Sequence, residues 1–221
     1  MTVAQGRSNV RAQIDIISET LEKMIEDVEN KYRQRIDSVK AQIFDIDHDI
    51  SLSEEEKRTR STFFYETLDS LEYQLNEARC KLFICIYSIC EASLRDICLF
   101  YDIPFKKLSK PKNKKDTKNK ETRYYLQDYL YTLGKDSIQK DSFDYILSEP
   151  LRELRNSLIH QGNDVSHIEE IIGQLQNSNF AGFKLSNGKL EIDKEETLKY
   201  LLNQIHNFLN ESEDLAKKIK L

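Results

Sequence analysis

Residues 8–49 read SNVRAQIDIISETLEKMIEDVENKYRQRIDSVKAQIFDIDHD, a stretch that contains neither Gly nor Pro. Apolar side chains fall at Val10, Ile14, Ile17, Leu21, Met24 and Val28, alternately four and three residues apart. Steps of that kind average about 3.5 residues and draw one stripe along a helix, the period of a coiled-coil seam. The pattern slips by fours through Tyr32 and Ile36, then resumes at Val39, Ile43, Ile46 and Ile50. The slip reads as a stutter that locally unwinds a supercoil. Ser53 followed by Glu56 is the signature of a capping box and predicts the start of a second long helix. Its seam is Phe64, Leu68, Leu71, Leu75, Ala78, Leu82, Cys85 and Ile89, with no Gly or Pro before Pro104. Two long helices joined by a short loop are expected to fold back as an antiparallel pair.

Beyond Pro104 the elements shorten. Residues 104–123 read as a lysine-rich connection, residues 122–133 as a short helix ending near Gly134, and residues 141–147 as another. Pro150 stands where a first helical position belongs and Gly162 where a C-terminal cap belongs. Residues 166–175 read as a further helix. Phe183 to Ile192 alternates around Asn187-Gly188, a strong short-range hairpin signal. Asp193 is the expected cap of a last helix running through Ile219, with Leu198, Leu201, Leu202, Ile205 and Leu209 on its buried side. The fold class expected is all-α: a helical domain over residues 62–221 with a small C-terminal β-hairpin, preceded by a long N-terminal helix and hairpin turn over residues 1–61. The first helix and the start of the second would form a coiled-coil-like arm.

With 221 residues, the chain can bury a substantial core without metals or disulfides. Charged residues make up 32% of it and the net charge is -5, which argues against coating nucleic acid by bulk electrostatics. The charge is unevenly placed. Lys106, Lys107, Lys110, Lys112, Lys114, Lys115, Lys118, Lys120 and Arg123 face only Asp116 and Glu121, so this segment carries +7 and the remainder -12. A basic loop on an acidic body is a candidate contact for phosphate backbones, although many charge runs are simply solvated. Cys80, Cys85, Cys90 and Cys98 lack the two-residue gap of zinc or redox motifs and read as small core residues of a reducing compartment. Residues 1–13 show no signal-peptide pattern, and the longest apolar run, residues 82–90, is about half the length that spans a bilayer. A cytoplasmic protein without a membrane segment is the expectation.

The chemistry concentrates in Arg155-Asn156-Ser157-Leu158-Ile159-His160. At about 100° per residue, Leu151, Leu154 and Leu158 cluster within about 60° and must face the core. Arg152, Arg155, Asn156 and His160 fall together on the other side. His160 lies in the last turn before Gly162, where unpaired carbonyls favour a cation. A histidine can take or give a proton near neutral pH, and an arginine can hold a phosphate through two parallel hydrogen bonds and stabilise charge building on it. Those are the requirements of metal-independent RNA cleavage by the adjacent 2′-hydroxyl. An Arg and a His that merely cap and solvate a surface helix would show the same letters.

Arg155-Asn156-x-x-x-His160, late in an all-helical chain, resembles the HEPN superfamily and its Arg-x4-His motif, in which Asn is favoured after the Arg. Residues 80–96, CKLFICIYSICEASLRD, look like that family's long first core helix. The resemblance covers residues 62–221 and points to the bacterial defence-associated branch. It implies a bundle of four to five helices that dimerises and brings two copies of the motif into one composite cleft, and in many relatives a ribonuclease acting as a toxin or against phage. It also implies that Arg155 binds the scissile phosphate, that His160 from each chain supplies acid or base, and that Asn156 touches substrate or positions the histidine. Glu91 and Arg152 would support them. No cofactor or metal is implied. Partners would be RNA, a second copy of the chain, and an antitoxin or defence-system protein. Relatives controlled by a paired nucleotidyltransferase carry Tyr two residues past the His; here Gln161-Gly162 follow, so the resemblance does not extend to that control.

Other signals are weaker. Asp45, Asp47, Asp49, Ser51, Ser53 and Glu56 occupy ligand places of an EF-hand loop, but its obligatory Gly is Ile50. An acidic helix connection capped by Ser53 accounts for the same residues. His48, His167 and His206 lack partners at metal spacing, and no phosphate loop, Ser-His-Asp arrangement or dinucleotide fingerprint is present. The alternative to a ribonuclease is a non-catalytic HEPN-like helical module that binds a partner protein through its arm. The polar face of the motif helix separates the two, since an adaptor has no need of Arg and His at that spacing.

Overall fold

The computed structural model describes residues 3–104, 126–135, 139, 142–162 and 169–220. Nine elements follow in order among them: α1 (Val3–His48), α2 (Glu54–Phe100), α3 (Leu126–Thr132), α4 (Phe143–Ser148), α5 (Pro150–Gln161), α6 (Glu169–Gln176), β1 (Phe183–Ser186), β2 (Lys189–Ile192) and α7 (Glu195–Lys220). The protein is predominantly helical, with one small antiparallel hairpin. The lysine-rich segment from Lys106 to Arg123 and His167 lie outside the described residues.

α1 and α2 form the expected antiparallel pair. The five-residue connection between them is built by hydrogen bonds. Asp49 accepts from the backbone N–H (2.9 Å) and hydroxyl (2.6 Å) of Ser51. Ser53 and Glu56 close the capping box, each side chain accepting from the other's backbone N–H at 3.3 and 2.9 Å. These bonds hold the Asp49 and Glu56 carboxyls below the usual carboxylate range. The candidate calcium loop is thus a helix end, a tight connection and a capped helix start.

The buried stripe of α1 departs from the expected seam. Met24 is 43% exposed and Ile25 is fully buried; Val10, Ile14, Leu21, Ile36 and Ile43 are also buried. The pairs Val10–Leu21 and Ile14–Ile25 are each eleven residues apart, and Ile25–Ile36 continues that step. Eleven residues in three turns is about 3.67 per turn, the period of a nearly straight helix instead of a left-handed supercoil. The reason is tertiary. The first half of α1 packs on both α2 and α7, and Val10, Ile14, Leu21 and Ile25 belong to the same core as α5 and the hairpin. Farther along, Ile36, Leu71 and Leu75 form a separate small cluster within the α1–α2 arm.

The core sits around the second half of α2, where Phe83, Ile86, Tyr87, Cys90 and Leu94 are fully buried. Phe183 of β1 meets Phe83 edge-on at 5.4 Å. Asn187 and Gly188 both adopt positive φ (50° and 76°), the two-residue turn whose twist matches its strands. β2 is anchored to α2 by Asn76, whose side-chain amide donates to Leu190 O (2.7 Å) and accepts from Ile192 N–H (2.9 Å). Asn76 thereby takes the place of a third strand. Asn76→Ala would leave two buried backbone groups unpaired and is expected to lower stability by about 1–3 kcal/mol, read from denaturant midpoints.

α4 begins after Ser142, whose hydroxyl accepts from Tyr145 N–H at 3.3 Å, so this helix starts later than expected. α7 likewise starts at Glu195. Asp193 does not cap it: its carboxylate pairs with Lys184 across the hairpin at 2.6 Å. The buried side of α7 is as expected, with Leu198, Leu201, Leu202, Ile205 and Leu209 all buried. No helix among the described residues is long and apolar enough to cross a membrane.

Candidate functional site

α5 carries the motif for local reasons. Pro150 occupies its first turn, where a missing N–H costs nothing, and Gly162 (φ 66°) ends it by donating to Leu158 O at 3.1 Å. Leu151, Leu154 and Leu158 are buried and fix the helix's roll against the core. Arg152, Arg155 and Asn156 are left half-buried, and Ile159 and His160 exposed.

Arg155 is the most constrained of these. Its Nη1 donates to Asn156 Oδ1 at 2.8 Å, and its Nη2 reaches Glu91 Oε2 at 3.4 Å and Ser88 Oγ at 3.5 Å. The guanidinium lies 5.9 Å from the centre of the Tyr87 ring. Its Nε is buried without a hydrogen-bond partner among the described residues. Tyr87 is in turn locked, donating to Leu147 O at 2.8 Å, and burial pushes its hydroxyl pKa far up. Burial also raises the Glu91 carboxyl above its ordinary range; Arg155 and then Arg152 pull it back only in part. The Glu91–Arg155 contact is therefore a loose ion pair between partly desolvated groups. One planar, multi-donor cation is thus held at the contact of α5 with α2, with about a quarter of its side chain exposed.

The structure brings Arg155, Asn156 and Glu91 together. It does not bring Arg152 into that contact network: its Nε donates to Ser148 O (3.0 Å) and its Nη2 pairs with Glu149 (3.0 Å) and Glu153 (3.6 Å). Arg152 ties down the start of α5. His160 makes no hydrogen bond or ion pair with the described residues. It lies five residues beyond Arg155, about 7.5 Å along the axis. Ser88 and Tyr87 were missed as site residues, because on the apolar face of α2 a Ser and a Tyr read as core. Their signal is positional: Ser88 and Glu91 are three apart and share a face.

The other candidates separate cleanly. Burial pushes the Cys80 thiol up to about 12 and the Cys98 thiol to about 11, so neither offers a thiolate. His48 stacks on Phe44 (3.9 Å between rings), and His206 pairs with Asp15 at 2.8 Å between α7 and α1. Among the described residues no group of three or more His, Cys, Asp and Glu side chains is arranged to hold a metal ion. Comparison with known protein families, with characterised proteins and with solved structures finds no match to this chain.

Proposed function

We propose that this chain is a metal-independent RNA endonuclease of the HEPN type, working in the cytoplasm as a homodimer under the restraint of an antitoxin or defence-system partner. One observation carries the reading: α5 places Arg155 and Asn156, half-buried, and His160, exposed, on the side away from three buried leucines, while Glu91 and Tyr87 of α2 hold the guanidinium. Arg155 binds the scissile phosphate and stabilises the charge that builds on it. His160 of one chain takes the proton of the 2′-hydroxyl as its oxygen attacks phosphorus. His160 of the second chain gives a proton to the departing 5′-oxygen. Asn156 keeps Arg155 in register, and the lysines between Lys106 and Arg123 gather RNA backbone.

The scheme needs two proton-transfer groups and no metal. Cleavage of total RNA by the purified protein is expected to persist in EDTA and to leave 2′,3′-cyclic phosphate and 5′-hydroxyl ends. Strict dependence on added magnesium, or 5′-phosphate ends, would refute the scheme. The second reading, a HEPN-like module binding a partner protein without catalysis, draws on the exposed aromatic residues of the arm. It requires that Arg155→Ala with His160→Ala leave every cellular effect intact.

A further inference from the structure

The distal arm carries aromatic side chains that stay largely exposed, Phe44 with one ring face stacked on His48. Phe44 on α1 is 59% exposed and Tyr65 on α2 is 48% exposed. The cross-helix pairs Glu29–Arg79 and Lys40–Glu72 set the register of the two helices and place Phe44 and Tyr65 at one level. Both also lie on one side of the arm. Asp37, Lys40, Asp69, Glu72 and Tyr73 line a single open groove. Phe44 is seven residues from Asp37, and Tyr65 is seven from Glu72. Seven residues are about two turns, so each aromatic residue shares the face of its acidic neighbour.

The charges on that face are arranged about its aromatic centre. Arg58 precedes Tyr65 by seven residues and Glu72 follows it by seven. They stand about 10.5 Å to either side along α2, the cation toward the tip and the anion toward the base. Arg58 has no ion-pair partner among the described residues, and Glu72 has only an exposed contact with Lys40 at 3.9 Å. A surface with an apolar centre and opposite charges at equal distances is complementary to itself after a two-fold rotation. No foreign partner is needed to match it.

We propose that a second copy of this chain docks here, the two arms stacked antiparallel with α2 over α2 and α1 over α1. The two-fold axis crosses the arms at the level of Phe44 and Tyr65. Each Arg58 then meets Glu72 of the second copy, and the aromatic side chains meet at the centre. This interface lies away from α5, so it is an assembly contact separate from the proposed composite site. Its readout is mass and cross-linking alone, which stands or falls independently of RNA cleavage.

Sedimentation of full-length chains tests it, with single-cysteine substitutions as the geometric probe. Tyr65→Cys should form a covalent dimer under mild oxidation. Phe63→Cys should not, because Phe63 lines a different groove with Arg35, Glu66 and Ser70. Arg58→Glu or Glu72→Arg should each weaken association at least tenfold at low salt, and the double variant should restore it. If α5 also pairs chains, the wild type sediments above the dimer mass and Arg58→Glu reduces it to a dimer. A chain monomeric at every concentration would leave the face to another occupant and overturn the proposal. So would equal cross-linking at positions 63 and 65, or masses that ignore both charge reversals.

Discussion

His160→Ala is expected to lower RNA cleavage by about 10²–10⁴-fold, the usual contribution of a positioned proton-transfer group, while leaving the far-UV spectrum unchanged. The fold should not suffer, because His160 is exposed and makes no hydrogen bond or ion pair with the described residues. Arg155→Ala should lose a comparable factor, although there the cause needs separating. Arg155 also neutralises Glu91 at 3.4 Å, so its loss strands a partly buried carboxylate. Arg155→Lys keeps the charge but not the planar fork, and should recover stability without recovering rate. Induced expression of the wild type should arrest growth and fragment cellular RNA; the His160→Ala chain should do neither. Mixing wild type with excess His160→Ala chains should reduce activity beyond simple dilution, because a mixed dimer offers one histidine where two are needed. Equal toxicity of the variant, or strict proportionality to dilution after verified subunit exchange, would refute the composite ribonuclease site.

What the sequence made legible were features written in local pattern. A capping box needs only Ser53 and Glu56; a two-residue turn needs only Asn187 and Gly188; the end of α5 needs only Gly162. The leucine floor of α5 was equally readable, since three apolar residues at helical spacing define a face without reference to any partner. Met24 and Ile25 show where such reading stops. Periods of 3.5 and 3.67 diverge slowly, and the choice is made by α7, which arrives from the far end of the chain. Asp193 is a plausible cap by letter, yet Lys184 across the hairpin claims its carboxylate. Within the site, Arg155 is bonded to the adjacent Asn156, but its other partners came from an apolar helix more than sixty residues earlier, and Arg152 went to its own neighbours. Long-range pairing of polar groups leaves no periodicity to read.

Glu29 is the sharpest case, and it carries the largest stability effect. By letter it is one acid among many on α1, yet its side chain is 1% exposed and accepts from Arg79 Nε at 2.6 Å and Nη2 at 2.8 Å. The third face of the guanidinium is used as well: Nη1 donates to Ile192 O (2.8 Å) and Asp193 O (2.9 Å), so one residue of α2 fastens α1 and β2 together. Removing either partner leaves the other charge out of water without compensation. Arg79→Ala and Glu29→Ala are therefore each expected to cost about 3–5 kcal/mol. The chain has no Trp, so far-UV circular dichroism in urea is the natural probe of the midpoint. Replacing both charges at once, Glu29→Leu with Arg79→Met, removes the stranded ion and should recover much of the loss. A residual deficit of about 1–3 kcal/mol should persist, because the Ile192 carbonyl still lacks its donor. Comparing that double variant with its own singles, Glu29→Leu and Arg79→Met, closes a double-mutant cycle that separates the ion pair from the strand anchor. Single variants costing under about 1 kcal/mol would mean that water reaches Glu29 and that the pair behaves as a surface salt bridge.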